Sequence, residues 1–190
     1  MRIAYFDCFS GIAGDMAVGA LLDLGLELSY LEEELGKLPV AGFSLSVAKA
    51  RRGKMTGSNF SVQVSEKAHQ HERYTEIKML IEESELAQPV KEMSLGIFAR
   101  LADAEAKIHG CSLDEVVFHE VGAIDSIVDV VGTAIGVHKL GVDAVYCSEM
   151  PLGQGTISCI HGNLPSPAPA TLEVLKGVPV YSTGRRVELV

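Results

Sequence analysis

The stretch Phe118-His119-Glu120-Val121-Gly122-Ala123-Ile124-Asp125-Ser126-Ile127-Val128-Asp129 runs on into an apolar pattern that ends near Leu140, and it decides the fold. Apolar residues recur in it at the spacing of one face of an α-helix. We therefore expect a central helix whose apolar face is covered by the rest of the chain. The residues on that face are Ile124, Ile127, Val128, Val131, Ile135 and His138.

A second stripe of the same helix combines acids with glycines: Asp125, Asp129, Gly132 and Gly136. Like charges four residues apart repel by a few tenths of a kcal/mol, and each glycine inside a helix costs about 1 kcal/mol relative to alanine. The stripe is therefore poor for helix stability alone. It indicates that something cationic or bulky approaches here, although a dipole role for Asp125 and close helix packing at the glycines would also explain it.

Composition limits the class of protein. The 190 residues are 47% hydrophobic with a net charge of −9, so they suit one folded domain, residues 1–190, and not a disordered chain. The acidic balance argues against general nucleic-acid binding. The longest uncharged stretch, residues 150–172, is rich in Gly, Pro and Ser, so we expect a loop there and no membrane span. A cytoplasmic protein is expected.

The order of the elements predicts an α/β fold, with α+β as the alternative. Residues 2–7 are typical of a buried strand, and residues 43–65 contain two alternating runs that predict a β-hairpin. We expect a central mixed sheet of about four to five strands with helices packed around it, and the hairpin within or extending the sheet. Residues 152–165 are expected to be irregular, and the helix from Pro89 to His109 to be core material without chemistry.

The turn after the first strand is a candidate anion site. Ser10, Gly11 and Gly14 lie between that strand and a helix, where free backbone N–H groups attract phosphate. An ordinary strand–helix turn capped by Asp15 is the alternative. Lys54 belongs to a basic cluster, residues 49–54, at the hairpin tip, which either binds phosphate or is simply solvated.

The candidate metal ligands come from distant parts of the chain. We expect the loops that carry Asp7, Asp15, His119 and His161 to leave one edge of the sheet and meet in one pocket. The alternative scatters these residues as caps and surface charges. His69 and His71 lie in a polar connection and could share a metal only if the backbone there is extended or turned.

Three blocks of the sequence also resemble the LarC family: residues 5–16 (YFDCFSGIAGDM), residues 118–129 (FHEVGAIDSIVD), and the run Gly155-Thr156, His161-Gly162 and Pro165–Thr171. Members of that family are nickel chelatases of the lyase class. They insert Ni²⁺ into a pyridinium-3,5-bisthiocarboxylic acid mononucleotide, which gives the nickel-pincer cofactor of lactate racemase. The resemblance therefore implies this mononucleotide as substrate and Ni²⁺ as the ion inserted.

The family is about twice as long, which implies that residues 1–190 are its N-terminal domain and that a C-terminal half, associated with CTP and Mg²⁺ or Mn²⁺, is a partner. Its members often carry a longer His-rich segment than residues 69–73 provide. A homo-oligomer stays open. We assign the residues to roles as follows: catalytic His119, Glu120 and His161; cofactor-binding Ser10, Gly11, Gly14 and Lys54; metal-binding Asp7, Asp15, His119, Asp125 and Asp129.

Which of these residues is the base and which are ligands is not fixed by the sequence. Two other functions stay open. The acids and His119 could bind Mg²⁺ or Mn²⁺ for phosphoester hydrolysis. The chain could also be a non-catalytic scaffold for the nucleotide-binding half. Oxygen ligands favour Mg²⁺ or Mn²⁺ and nitrogen ligands favour Ni²⁺, so the ligand set separates the first alternative from nickel insertion.

Overall fold

The computed structural model of the chain describes residues 1–65, 73–119, 123–159 and 161–190. Helices and strands are mixed along it, which confirms the α/β class. In the described residues a short 3₁₀ turn, Leu113–Glu115, joins the fourth helix to the stretch before the fifth. The helices are α1 (Gly14–Asp23), α2 (Leu28–Leu35), α3 (Tyr74–Glu83), α4 (Gln88–His109), α5 (Ile124–Lys139) and α6 (Pro169–Val174).

The strands form four two-stranded sheets in the described part of the chain, so the expected central sheet of four to five strands is wrong. The hairpin at 43–65 is confirmed as an antiparallel pair. The pairs are β1 (Ile3–Phe6) with β4 (Ala144–Cys147), β2 (Phe43–Arg52) with β3 (Met55–Val64), β5 (Met150–Leu152) with β8 (Val180–Ser182), and β6 (Thr156–Cys159) with β7 (Gly162–Pro165).

The helices, and not a sheet, form the core, which is why the strands need not join. The predicted apolar face of α5 is buried at Ile124, Ile127, Val128, Val131 and Ile135, although His138 is exposed. The hairpin contributes the buried Phe60 to this core and packs on α1. Strand β1 lies at the periphery, where Tyr5 is 63% exposed, so the expectation of a buried first strand is also wrong.

The bulky neighbour of the glycine stripe is α1. A β-carbon at Gly136 would lie 2.8 Å from Leu21 Cδ1, and one at Gly132 would lie 3.4 Å from Val18 Cγ2. The missing side chains therefore let the two helices approach closely. Close helix packing, which the sequence left as an alternative, is the explanation of these two glycines.

The segment expected to be irregular contains a second hairpin. Strand β6 pairs with β7 from Thr156 opposite Pro165 to Cys159 opposite Gly162. The glycines and prolines hid it because they weaken a strand pattern in sequence. None of the helices that the structure describes is both long and apolar enough to cross a membrane.

Candidate metal centre

Three histidines from three separate elements meet at one place. His109, His119 and His161 each offer a ring nitrogen, and these atoms lie within 4.8 Å of one another. The ring centroids are 4.7 Å apart for His119 and His161, 5.1 Å for His109 and His161, and 5.8 Å for His109 and His119. All three side chains are exposed, so an ion can reach them from solvent.

His109 is in the last turn of α4. Gly110 follows it with a φ of 67°, the left-handed conformation that ends helices and that glycine adopts without strain. Its Nε2 lies 3.2 Å from Oε2 of Glu105, one helical turn earlier. The helix end thus places the imidazole at the rim of the core.

His119 is fixed by the aromatic residue before it. Phe118 is 1% exposed and packs against Phe98 of α4, with ring centroids 6.2 Å apart, and edge-on against Tyr74 of α3 at 6.3 Å. Such aromatic contacts are worth about 1 kcal/mol each beyond the area they bury. The anchor holds the next residue beside the end of α4.

His161 directly precedes β7 in the β6–β7 hairpin. The helix after this hairpin, α6, is tied to α4, because Lys107 Nζ lies 2.6 Å from Glu173 Oε1 and the Arg100 guanidinium donates a 3.1 Å hydrogen bond to the carbonyl oxygen of Val174. These contacts hold the third sequence block against the helix that carries His109.

A cavity of about 970 Å³ opens beside the three histidines. All three blocks line it: Ser10–Ala13 from the first, Phe118 and His119 from the second, and Ile157 to Thr171 in part from the third. The expected meeting of distant loops is therefore seen for His119 and His161. The remaining lining is mostly apolar and includes Leu101 and Ile108 of α4.

The acids form a separate group where the N-terminus of α1 meets α5. The Asp129 carboxylate accepts a hydrogen bond from the backbone N–H of Asp15, and one of its oxygens, Oδ1, is buried without a partner. Burial, and then the nearby carboxylates of Asp15 and Asp125, raise the pKa of Asp129 to about 7. Gly14 touches this group, since a β-carbon there would lie 2.6 Å from Asp129 Oδ2.

The residues that the sequence analysis assigned to one metal site therefore lie in two places. Asp15, Asp125 and Asp129 do not line the cavity, and among the described residues only the three histidines bring three ligand atoms within 4.8 Å. Asp7 is exposed after β1 and also lies outside the cavity lining. Metal binding by these acids stays a prediction, but at a different place from His119.

The candidate anion site is divided as well. Ser10 and Gly11 line the cavity, whereas Gly14 and the exposed Lys54 do not. The N–H of Gly11 donates to Cys8, and that of Ile12 donates a 2.9 Å hydrogen bond to the carbonyl oxygen of Leu189. An anion at this turn must compete with these acceptors, so binding there stays a prediction.

Similarity to known proteins decides the family of the chain. The sequence model of a family described as "Nickel insertion protein" matches residues 4–190. The chain belongs to this nickel insertion family. A relative from Geobacter sp. (strain M21), named "Putative nickel insertion protein", is 52% identical over 180 residues, which cover 95% of this chain and 47% of the relative. One of the same name from Dictyoglomus thermophilum is 44% identical over 190 residues, 100% of this chain and 49% of the relative.

Membership of the nickel insertion family confirms the resemblance on which the site was predicted. The chain spans about half the length of the curated relatives it matches. No solved structure matches it at a significant level.

The ligand set suits the ion that the family name gives. Imidazole nitrogen is a good ligand for nickel, whereas Mg²⁺ and Mn²⁺ prefer oxygen. Imidazole nitrogens bound at about 2.1 Å to one ion, with angles of about 90–110° at the ion, lie about 3.0–3.4 Å apart. The three nitrogens lie within 4.8 Å of one another, so the side chains reach this spacing by moving together by roughly 1–2 Å.

His109 is the candidate ligand that the sequence analysis missed, because α4 was interpreted as core material. The signal was weak: a histidine at a helix end beside glycine is typical of dipole stabilisation and helix termination. Glu120, His69 and His71, which the sequence analysis singled out, lie outside the described residues.

Proposed function

We propose that this chain carries Ni²⁺ on His109, His119 and His161 and inserts it into a pyridinium bis-thiocarboxylate mononucleotide bound in the adjacent cavity. The product would be the nickel-pincer cofactor of lactate racemase, and the activity that of a nickel chelatase of the lyase class. The observation that carries the proposal is the meeting of three imidazoles beside a large cavity in a member of a nickel insertion family.

The ligand chemistry supports transfer as well as binding. Three protein ligands leave coordination positions open for incoming groups. Imidazole holds nickel less strongly than soft thiolate sulfur does, so a substrate with two thiocarboxylate sulfurs can take the ion from the histidines. The nitrogen ligand set also favours nickel over the Mg²⁺ or Mn²⁺ of the hydrolase alternative.

The cavity supports a ring-bearing substrate. Its volume of about 970 Å³ is at the upper end of the range for small-molecule pockets, roughly 300–1,000 Å³. Its mostly apolar lining suits the flat face of a pyridinium ring. Ser10 and Gly11 border the cavity and are the proposed contacts of the phosphate.

Formation of a nickel–carbon bond also requires a base for the ring C–H proton. A histidine nitrogen that holds the ion cannot accept this proton, so the base must come from another group. We propose Glu120, which directly follows His119 in the sequence. In this proposal His119, which the sequence analysis assigns both as catalytic and as metal-binding, and His161, which it assigns as catalytic, act as ligands.

The complete reaction is proposed for the longer protein. The relatives are about twice the length of this chain, and we propose that their remaining half binds CTP with Mg²⁺ or Mn²⁺ and makes insertion CTP-dependent in the cytoplasm. The 190 residues would provide the nickel site and the substrate cavity.

Nickel titration tests the metal site. Calorimetric titration of Ni²⁺ into the wild type and into His109→Ala, His119→Ala and His161→Ala should show a loss of affinity of at least about 100-fold in each variant, above the loss typical of supporting residues. His138→Ala is the matched control, because His138 is exposed on α5 and lies outside the cavity lining. His69→Ala should also bind more tightly than His119→Ala. Unchanged affinity in the three variants would refute the site.

An insertion assay tests the reaction. The chain and a full-length relative are each incubated with Ni²⁺, CTP, Mg²⁺ and the bis-thiocarboxylate mononucleotide, and the nickel-containing product is measured by mass spectrometry. We expect product with the relative, and none when its histidine equivalent to His119 is replaced by alanine. Product formed equally well without that histidine would contradict the proposed role of the cluster.

A further inference from the structure

Glu105 contacts one of the three histidines from outside the ring of ligand atoms. Its Oε2 lies 3.2 Å from Nε2 of His109, and both residues line the cavity. They are four residues apart on α4, the spacing that brings side chains together on one face of a helix. Glu105 is well shielded, with 22% of its side chain exposed.

A carboxylate at this distance from a ring nitrogen is placed as the supporting groups of metal-binding histidines usually are. A coordinating imidazole donates its second ring N–H to a carboxylate, a carbonyl or water, which fixes the ring orientation and the proton position. Neutral imidazole carries one proton, so donation from one nitrogen leaves the other as the acceptor for an ion.

The carboxylate of Glu105 is free for this task. Among the described residues, His109 is the only side chain with which Glu105 forms an ion pair. Lys107, the nearest basic residue along α4, pairs with Glu173 of α6 instead. In the part of the chain that the structure describes, no basic side chain therefore competes with His109 for Glu105.

We propose that Glu105 is the positioning residue of the nickel site: it accepts a hydrogen bond from Nε2–H of His109 and leaves Nδ1 to bind the ion. The inference rests on the proposed function only in taking the three histidines as the metal site. It goes beyond that proposal by naming the group that prepares one ligand and the nitrogen that binds.

The first experiment is a Ni²⁺ titration of the wild type, Glu105→Ala and Glu105→Gln. Loss of a supporting carboxylate should weaken binding about 10- to 100-fold in the alanine variant. The glutamine variant should lose less, because its amide oxygen still accepts the hydrogen bond. Asp103→Ala is the matched control: it removes an acid from an exposed position on the same helix and should leave the affinity unchanged.

The second experiment distinguishes a positioning role from a loss of structure. With Co²⁺ as a paramagnetic probe, ring N–H protons of coordinated histidines give shifted proton resonances. The resonance of His109 should exchange slowly with water in the wild type and in Glu105→Gln, and quickly in Glu105→Ala. It should also be assigned to Nε2–H.

The outcomes separate the two proposals. If the wild type binds no Ni²⁺, the proposed function fails and this inference fails with it. If the wild type binds but Glu105→Ala binds equally well, only the role of Glu105 is overturned. Equal losses in the alanine and glutamine variants, with a slowly exchanging His109 proton in both, would make Glu105 a direct ligand and also overturn the positioning role.

Discussion

Replacement of Asp129 by asparagine should stabilise the protein at neutral and alkaline pH but not in acid. Asp129 lies where α1 meets α5, and its Oδ1 is buried without a partner. Burial and the carboxylates of Asp15 and Asp125 raise its pKa from the ordinary 3.8 to about 7. Asparagine has nearly the same shape, keeps an oxygen for the N–H of Asp15 and carries no charge.

The direction in which the stability changes with pH follows from proton linkage. Because the pKa of Asp129 is higher in the folded chain than in the unfolded chain, the folded state binds more protons between pH 4 and 7. The stability of the wild type therefore falls as the pH rises through this window and is level above it. A change of pKa from 3.8 to about 7 corresponds to at most about 4 kcal/mol. Relaxation and water near the half-buried group reduce this, so we expect a gain of about 2 kcal/mol for Asp129→Asn at pH 8.

Urea unfolding of the wild type and Asp129→Asn at pH 4, 5, 6, 7 and 8, with a chelator present, measures the effect. The difference between the two curves should grow with pH, and an Asp103→Asn control should follow the wild type. Parallel curves for the wild type and Asp129→Asn would refute the reasoning. If Ni²⁺ without chelator stabilises the wild type more than it stabilises Asp129→Asn, whose three histidines are intact, that difference would instead support additional metal binding by the acids.

Three further predictions concern packing, nucleotide chemistry and anion binding. Gly136→Ala should destabilise the fold by about 1 kcal/mol in urea unfolding, because the clash with Leu21 outweighs the gain in helix propensity. Gly96→Ala should stabilise the fold by about the same amount, because an added β-carbon there meets nothing within 4 Å. Equal changes in stability at the two sites would contradict this account. The 190-residue chain alone should not hydrolyse CTP in a phosphate-release assay, and robust turnover would place the nucleotide chemistry in these residues. Phosphate or a nucleotide monophosphate should protect the amides of Gly11 to Asp15 from hydrogen exchange, whereas protection confined to residues 49–54 would move the anion site to the hairpin tip.

Much of the local structure could be predicted because it depends on neighbours in the sequence. The apolar stripe predicted helix α5, and the alternation at 43–65 predicted the β2–β3 hairpin. Both elements are found at the expected residues. The assembly of the strands was not predictable in the same way. The alternation of apolar residues in a strand indicates which side chains are buried but not which strand lies beside it. The sequence therefore could not show that β1 pairs with β4, and β5 with β8, in separate sheets.

By itself, the sequence determined the class of fold, the central helix and the two histidines, His119 and His161, that meet at the cavity. These follow from periodicity and from compact motifs, which are properties of consecutive residues. Only the tertiary structure decided that the acids of α5 face α1 and that His109 completes the cluster. The physical reason is that side chains can bind one ion together only if they lie within a few Å of one another in the folded protein, whatever their separation in the sequence. The end of α4 and the β6–β7 hairpin come together only through tertiary packing, which includes the contact of Lys107 in α4 with Glu173 in α6, the helix after the hairpin.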